Sequence, residues 1–187
     1  NNTTNSSNIP VNVAGLTSGV TAITGGRFSS CAVVSGSVVC WGNGDAGQLG
    51  DGVAFPAAGH RSLTPVAVVG LTGPVTAVKA GGAAACARLA SGDLACWGVG
   101  WGAQLGVDNS VSRATLVPLP SGSVLQADIT NDHMCAVLQD HSLRCWGSNV
   151  YGQMGNGTSM FSPTPVDVLD IAPAQWTYML YLAGDND

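Results

Sequence analysis

CWGNGDAGQLGDG, residues 40–52, places one cysteine and one tryptophan among five glycines. The same pattern returns twice further along the chain, and in every copy a glutamine follows seven residues after the tryptophan. A catalytic nucleophile would not recur at a fixed spacing, whereas a structural unit repeats in this way. We therefore interpret the stretch as the corner of a repeat of roughly 50 residues. The recurring positions are Cys40-Trp41-Gly42, Cys96-Trp97-Gly98 and Cys145-Trp146-Gly147, followed by Gln48, Gln104 and Gln153.

Matched cysteine pairs precede each tryptophan, in the segments 31–40, 86–96 and 135–145. Each segment predicts a β-hairpin, with a two-residue turn at Ser35-Gly36 in the first and three-residue loops in the other two. Directly opposed residues of a hairpin are close enough for a disulfide. We predict three such bonds: Cys31–Cys40, Cys86–Cys96 and Cys135–Cys145. The predicted loops are Ala90-Ser91-Gly92 and Gln139-Asp140-His141.

Metal binding is the alternative use of paired cysteines. Zinc sites favour cysteines separated by two to four residues with a second such pair nearby, and no pair here has that spacing. We therefore predict no metal ligands, and we predict no cofactor. Three disulfides indicate an oxidising compartment, so we expect the protein to be extracellular or on a cell surface.

Each repeat contains four short strand candidates, which are the two hairpin arms, a Val-x-Ala run and a Pro-Val run. Four strands with glycine-rich corners predict the blade of a β-propeller, so the expected fold is all-β with three four-stranded blades. Large apolar side chains beside the corner glycines would fill the space between blades. The predicted blade-core residues are Trp41, Trp97, Trp146, Leu49, Leu105 and Met154.

Composition excludes several kinds of function. The chain has 187 residues, is 45% hydrophobic and only 9% charged, which indicates a folded domain rather than disorder. Six basic residues against eleven acidic ones give a net charge of −5, which argues against nucleic-acid binding. No apolar run approaches the roughly 20 residues of a membrane-spanning helix, so we expect no membrane insertion. His60, His133 and His141 have no recurring partner, and we predict no catalytic residues.

Residues 9–169 resemble the regulator of chromosome condensation repeat in its bacterial extracellular form. The Gly-Gln-Leu-Gly and Thr-Pro-Val motifs, the Gly-Leu-x-x-Gly-Val run and the Cys-Trp-Gly hairpin carry the resemblance. Ala103 and Leu116 depart from these motifs in the second repeat. The resemblance implies a β-propeller, commonly of seven blades. It also implies roles that range from nucleotide exchange on a GTPase to enzyme inhibition and surface binding. Fold alone does not choose among these roles.

The two ends of the chain differ from the repeats. Residues 1–8 are predicted to be a polar linker, residues 9–170 the repeats, and residues 171–187 an apolar strand donated to a neighbour or opening a following domain. That last stretch resembles the first strand of clostripain-like cysteine peptidases. Its predicted assembly residues are Trp176, Tyr178, Leu180 and Leu182. The candidate glycosylation sites are Asn2, Asn5 and Asn156, which head Asn-x-Ser/Thr sequons.

Two functions are consistent with this sequence. The first is a non-enzymatic, secreted structural or interaction protein. Its partners would be further copies of itself, joined head to tail in a surface filament or another oligomer, and other surface proteins. The alternative is the binding module of a secreted clostripain-like peptidase whose catalytic domain is absent from this chain. Three blades are fewer than a closed propeller contains, so either the sequence is a fragment of a longer chain or other copies complete the structure.

Overall fold

The computed structural model describes residues 1–53, 56–100, 104–106 and 110–169. The described residues form twelve strands in three four-stranded antiparallel sheets, and each sheet takes four consecutive strands in chain order. The all-β prediction with three four-stranded blades is confirmed. The first blade contains β1 Val20–Gly25, β2 Ser29–Val34, β3 Ser37–Asn43 and β4 Arg61–Ala67. The second contains β5 Val75–Gly81, β6 Ala84–Leu89, β7 Leu94–Val99 and β8 Ser110–Leu116, and the third β9 Val124–Ile129, β10 His133–Leu138, β11 Leu143–Gly147 and β12 Ser162–Asp167.

The central hairpins turn where the sequence predicted. Ser35 and Gly36 have φ values of 50° and 80°, as in the two-residue turn that fits the twist of paired strands. The other two hairpins have three-residue loops, closed by Leu89 N–H to Asp93 and by Leu138 N–H to Ser142. A left-handed residue ends each of these loops: Gly92 at φ 88° in the second blade and His141 at φ 63° in the third.

The three predicted disulfides join the central strands of the blades. In every hairpin the two cysteines are directly opposite each other in the strand register. Their Cα–Cα distances are 4.1 Å for Cys31–Cys40, 4.0 Å for Cys86–Cys96 and 4.1 Å for Cys135–Cys145. These short separations are those of a close, non-hydrogen-bonded pair of antiparallel residues.

The tryptophan after each hairpin lies opposite a β-bulge in the fourth strand of its blade. Cys40 pairs with Val66 and Gly42 with Ser62, so Trp41 alone faces three residues of β4, two more than a regular ladder would place there. Gly42 has a φ of 106°, and a Cβ there would lie 2.5 Å from the carbonyl oxygen of Phe28. Only glycine satisfies both conditions, which explains why the bulkiest side chain is followed by the smallest.

Each blade has two faces, which we name by what they carry. The tryptophan face bears the tryptophan and the disulfide face bears the cystine, because neighbouring strand residues point to opposite sides. One buried cluster joins the disulfide face of the first blade to the tryptophan face of the second, and another joins the second blade to the third. Strand β5 contacts both β1 and β9, so the first strand of each blade lies at the side where neighbouring blades meet.

The described residues before β1 belong to none of the three sheets. Residues Pro10–Leu16, which repeat the Pro-Val pattern, form no strand in the described structure, while the matching stretch 64–67 lies in β4. In all three sheets of the described structure the fourth strand pairs with the third strand of its own blade. Residues 170–187, including the predicted assembly strand and the clostripain-like stretch, lie outside the described residues.

Candidate interaction faces

Each internal blade boundary contains the same hydrogen bond. The Trp97 indole N–H donates to the backbone carbonyl oxygen of Gln48 in the preceding blade at 3.1 Å. In the next boundary Trp146 donates to the carbonyl oxygen of Gln104 at 2.9 Å. Both tryptophans are fully buried, so each indole is packed in apolar surroundings with its one polar atom satisfied. The tryptophan of one repeat therefore binds the glutamine loop of the repeat before it.

The glycine that ends each loop lets the loop approach the indole. A Cβ on Gly50 would lie 2.7 Å from Trp97 Cδ1, and one on Gly106 would lie 2.9 Å from Trp146 Nε1. Both glycines also have a φ of +65°, which other residues rarely adopt. The Gly-Gln-Leu-Gly motif is thus a contact surface for the next blade.

Hydrogen bonds fix the glutamine side chains of the first two loops, within the loop for Gln48 and to the next blade for Gln104. Gln48 donates from Nε2 to Asn43 Oδ1 at 2.6 Å, and its Oε1 accepts the Ala46 N–H at 2.8 Å. Gln104 instead donates from Nε2 to the backbone carbonyl oxygen of Asn131, in the third blade, at 2.8 Å. Both glutamines are buried, and their fixed positions set the direction of the carbonyl group that accepts from tryptophan.

The tryptophan face of the first blade has no neighbour in the described structure. Ile23 is 67% exposed, whereas its counterpart Val78 in the second blade is 3% exposed. Val20 is 43% exposed, and its counterpart Val75 is 5% exposed. Trp41, predicted to lie in the blade core, is only half-buried and belongs to neither buried cluster. It lacks the glutamine loop that covers the other two tryptophans.

The disulfide face of the third blade is open in a corresponding way. Val137 and Leu143 are half-buried, while their first-blade counterparts Val33 and Val38 are 0% and 1% exposed. The loop that ends in Gly155 keeps the form of the other two, with Met154 fully buried and a φ of +60° at the glycine. No tryptophan among the described residues lies against this loop. The stack therefore ends in two apolar faces that are complementary halves of the internal boundary.

The remaining predicted sites are distributed as follows. Leu49 and Leu105, like Met154, are fully buried in their loops. Asn2 and Asn5 are exposed, near the start of the chain. The Asn156 Oδ1 accepts from Asn149 Nδ2 at 3.1 Å and from the Thr158 hydroxyl at 2.9 Å, so the third sequon is folded into a hydrogen-bonded loop.

The sequence did not let us predict which side chain fills the glutamine loop of the first blade. Asn149 is fully buried in the third blade, where it supports the loop through its contact with the Met154 N–H. Its counterpart in the first blade is Gly44, and the His60 imidazole occupies the space beside that glycine. His60 Nε2 lies 2.8 Å from Asp51 Oδ2. The change from asparagine to glycine at this position was the available signal, but nothing in the sequence pointed to His60.

One carboxylate links neighbouring blades. Asp93 Oδ1 accepts the Gly122 N–H at 2.8 Å and the Ser121 hydroxyl at 3.1 Å, from the segment that leads into the third blade. The Gly122 N–H and then the Ser91 hydroxyl hold the pKa of Asp93 below its ordinary value of 3.8. The charged carboxylate is thus the form that the fold favours.

The described residues contain no group of three or more His, Cys, Asp or Glu side chains able to hold a metal ion. In that part of the chain no helix has the length and apolar character needed to cross a membrane.

Three four-stranded blades joined by a repeated tryptophan contact define a repeat protein of the β-propeller class. The chain belongs to the regulator of chromosome condensation (RCC1) repeat family, whose models match residues 35–87 and 126–153.

Curated relatives include the ultraviolet-B receptor UVR8 of Arabidopsis thaliana, which is 32% identical over 78% of this chain and 33% of the receptor. The regulator of chromosome condensation of Drosophila melanogaster is 33% identical over 73% of this chain and 25% of that protein. The chain thus spans a third or less of the length of these relatives.

Solved structures of low sequence identity share the fold. Prp20p of Saccharomyces cerevisiae aligns with a TM-score of 0.72 at 19% identity, over 83% of this chain and 39% of that chain. Human WBSCR16 aligns with a TM-score of 0.68 at 22% identity, over 80% of this chain and 39% of that chain.

Proposed function

We propose that this chain is a non-enzymatic, extracellular protein-interaction module whose copies assemble head to tail through the end faces of the blade stack. The observation that carries the proposal is the pair of unmatched faces. Ile23 is exposed where Val78 is buried, and Val137 is half-buried where Val33 is buried. A head-to-tail contact between such faces either closes a ring or continues as a filament.

The extracellular assignment rests on the cystines. Each blade carries one, and the described residues contain no free cysteine. Bonds of this kind persist in oxidising compartments and are rare in the cytosol. The relatives add a general precedent for protein binding, since the yeast protein Prp20p was solved together with a study of its binding to Gsp1p and histones.

Two experiments test the proposal: one measures the assembly of the purified chain, and the other compares secreted with cytosolic expression. Purified, oxidised protein should show a molar mass that rises with concentration in light scattering, and electron microscopy should show filaments or rings. Expression with a secretion signal should give three disulfides in peptide maps, whereas cytosolic expression should give less folded protein. A monodisperse monomer at all concentrations would contradict the assembly, and equal yield of folded, reduced protein from the cytosol would contradict the extracellular assignment.

A further inference from the structure

The two open faces carry the two halves of one hydrogen bond, a donor on one face and an acceptor on the other. The Trp41 indole N–H has no acceptor among the described residues, although Trp97 and Trp146 each have one. In the loop of the third blade, no N–H or O–H group of the described residues donates to the Gln153 carbonyl oxygen. One face thus lacks an acceptor, and the other lacks the matching donor.

We propose that Trp41 of one copy docks against the Gln153–Gly155 loop of a second copy, with its Nε1 donating to the Gln153 carbonyl oxygen. This inference rests on the head-to-tail assembly proposed above and assigns the residues that form the joint. The internal boundaries supply the template, since the same donor, loop and terminal glycine occur in both. Gly155 keeps the loop open to an indole as Gly50 and Gly106 do.

The apolar side chains around this hydrogen bond also match. At the first internal boundary Val33 and Val38 pack in one cluster with Val75 and Val78. The counterparts at the joint would be Val137 and Leu143 from one copy against Val20 and Ile23 from the other. All of these are apolar and of similar size, so the joint would bury surface that each end now exposes.

Polar groups at the inner edge of the joint are compatible too. At the first boundary the Thr24 hydroxyl oxygen accepts the Ala80 N–H at 3.1 Å. The counterpart of Thr24 in the third blade is Asp128, and the counterpart of Ala80 in the first blade is Gly25. The Oδ1 of Asp128 lies 3.7 Å from Lys79 Nζ of the second blade, in an exposed ion pair within the chain. The other carboxylate oxygen would meet the Gly25 N–H across the joint, and a charged acceptor strengthens such a bond. A second copy of this chain thus fits the face on apolar and polar grounds.

The decisive experiment mixes two variants of the full chain that each lose one face. Ile23→Lys places a charge on the tryptophan face and Leu143→Lys places one on the disulfide face. Because Ile23 is 67% exposed, its substitution leaves the blade folded. We expect each variant alone to associate at least 100-fold more weakly than the parent chain. An equimolar mixture should form a one-to-one dimer and nothing larger, since one intact face remains on each partner.

Leu63→Lys is the matched control, because Leu63 is an exposed apolar residue of strand β4, at the edge of the first blade. This variant should assemble like the parent chain. Far-ultraviolet circular dichroism and intact cystines should show that all three variants are folded. If Leu63→Lys abolished assembly as well, the association would be non-specific and the proposed joint would be wrong.

Trp41→Phe tests the hydrogen bond separately. It keeps a ring on the tryptophan face and removes the N–H donor, so we expect association roughly tenfold weaker by analytical ultracentrifugation. The Trp41 emission, taken as the difference between the spectra of the parent chain and of Trp41→Phe, should shift to shorter wavelength as the concentration rises. An unchanged association constant would overturn the assigned donor.

The outcomes separate this joint from the broader proposal. If the parent chain assembles but the mixture of lysine variants stays monomeric, the proposed joint is wrong. The copies then associate through another surface, and the broader assembly proposal is retained. If the parent chain is monomeric and Trp41 is shielded from acrylamide quenching, another segment of the same chain covers the face, and both proposals fail.

Discussion

Cys86 of the second blade lies with its Sγ 3.6 Å from the Sδ of Met134 in the third blade. The cystine that closes one hairpin is therefore also a packing element of the next blade. The Cys86 sulfur therefore belongs both to the disulfide of its own repeat and to the packing against the next repeat. Mutation and reduction can test these two contributions separately.

The three tryptophans should differ in their contribution to stability. Trp97→Ala should destabilise the chain by about 3–5 kcal/mol, because the indole is fully buried. Trp41→Ala should cost only about 1–2 kcal/mol, since that indole is only partly buried. Urea unfolding of the two variants at a concentration where the chain is monomeric measures the difference. Equal losses would show that the first-blade tryptophan is as well packed as the second.

The glycine that ends the first glutamine loop should tolerate no side chain. Gly50→Ala should destabilise the chain by about 2–4 kcal/mol, because the new Cβ would meet the Trp97 ring in addition to adopting a positive φ. Gly59→Ala is the control, since Gly59 has a φ of +80° with nothing within 4 Å of an added Cβ. It should cost only about 1 kcal/mol. The difference in unfolding free energy between the two variants, measured by thermal unfolding, gives the cost of the steric overlap beyond that of the positive φ.

The three cystines should be reduced in a fixed order. Cys135 is half-buried on the open face of the third blade, whereas Cys31 and Cys40 are completely buried between the first two blades. A water-soluble phosphine should therefore cleave Cys135–Cys145 first under native conditions, because reduction requires access to sulfur. Alkylation at short times followed by peptide mass spectrometry gives the order. Simultaneous loss of all three bonds would indicate global unfolding instead of access through the end face.

Stability should fall in acid partly through Asp93. Its pKa is lowered in the folded chain by the Gly122 N–H and by the hydroxyl groups of Ser91 and Ser121. A carboxyl whose folded pKa lies below its unfolded value stabilises the fold above the unfolded pKa, and this contribution disappears as the pH falls through the folded pKa. Asp93→Asn should therefore flatten the decline in unfolding free energy below about pH 4. An unchanged slope in denaturant titrations from pH 5 to pH 2 would contradict the role of this carboxylate.

The parts of the fold that depend on neighbours in sequence were predictable. The Ser35-Gly36 turn and the pairing of Cys31 with Cys40 follow from residues within one hairpin, where loop length fixes the register. Burial of the tryptophans was not predictable in the same way. Trp41 and Trp97 both lie in a Cys-Trp-Gly sequence, but in the described structure a glutamine loop from another repeat lies against the ring of Trp97 and none lies against that of Trp41. Burial is a property of the boundary, which a single repeat does not encode.

The candidate site illustrates the same limit. The glutamine motif was visible in the sequence, but its function as a carbonyl acceptor for the next tryptophan depends on a contact 49 residues away. His60 offered even less of a signal, because its place beside Gly44 depends on how the residues between β3 and β4 fold back. Spacing reveals which residues recur, and only the packed structure shows which of them meet.

The division of each boundary between a donor in one repeat and an acceptor in the repeat before it has an evolutionary consequence. Unequal recombination that adds or deletes one whole repeat leaves every remaining junction with its indole, its loop and its glycine. In a stack where each unit contacts only its neighbours, such an event changes the length without requiring a new interface. The number of blades is therefore a trait that gene duplication can adjust one step at a time, because each added repeat brings one donor and one acceptor with it.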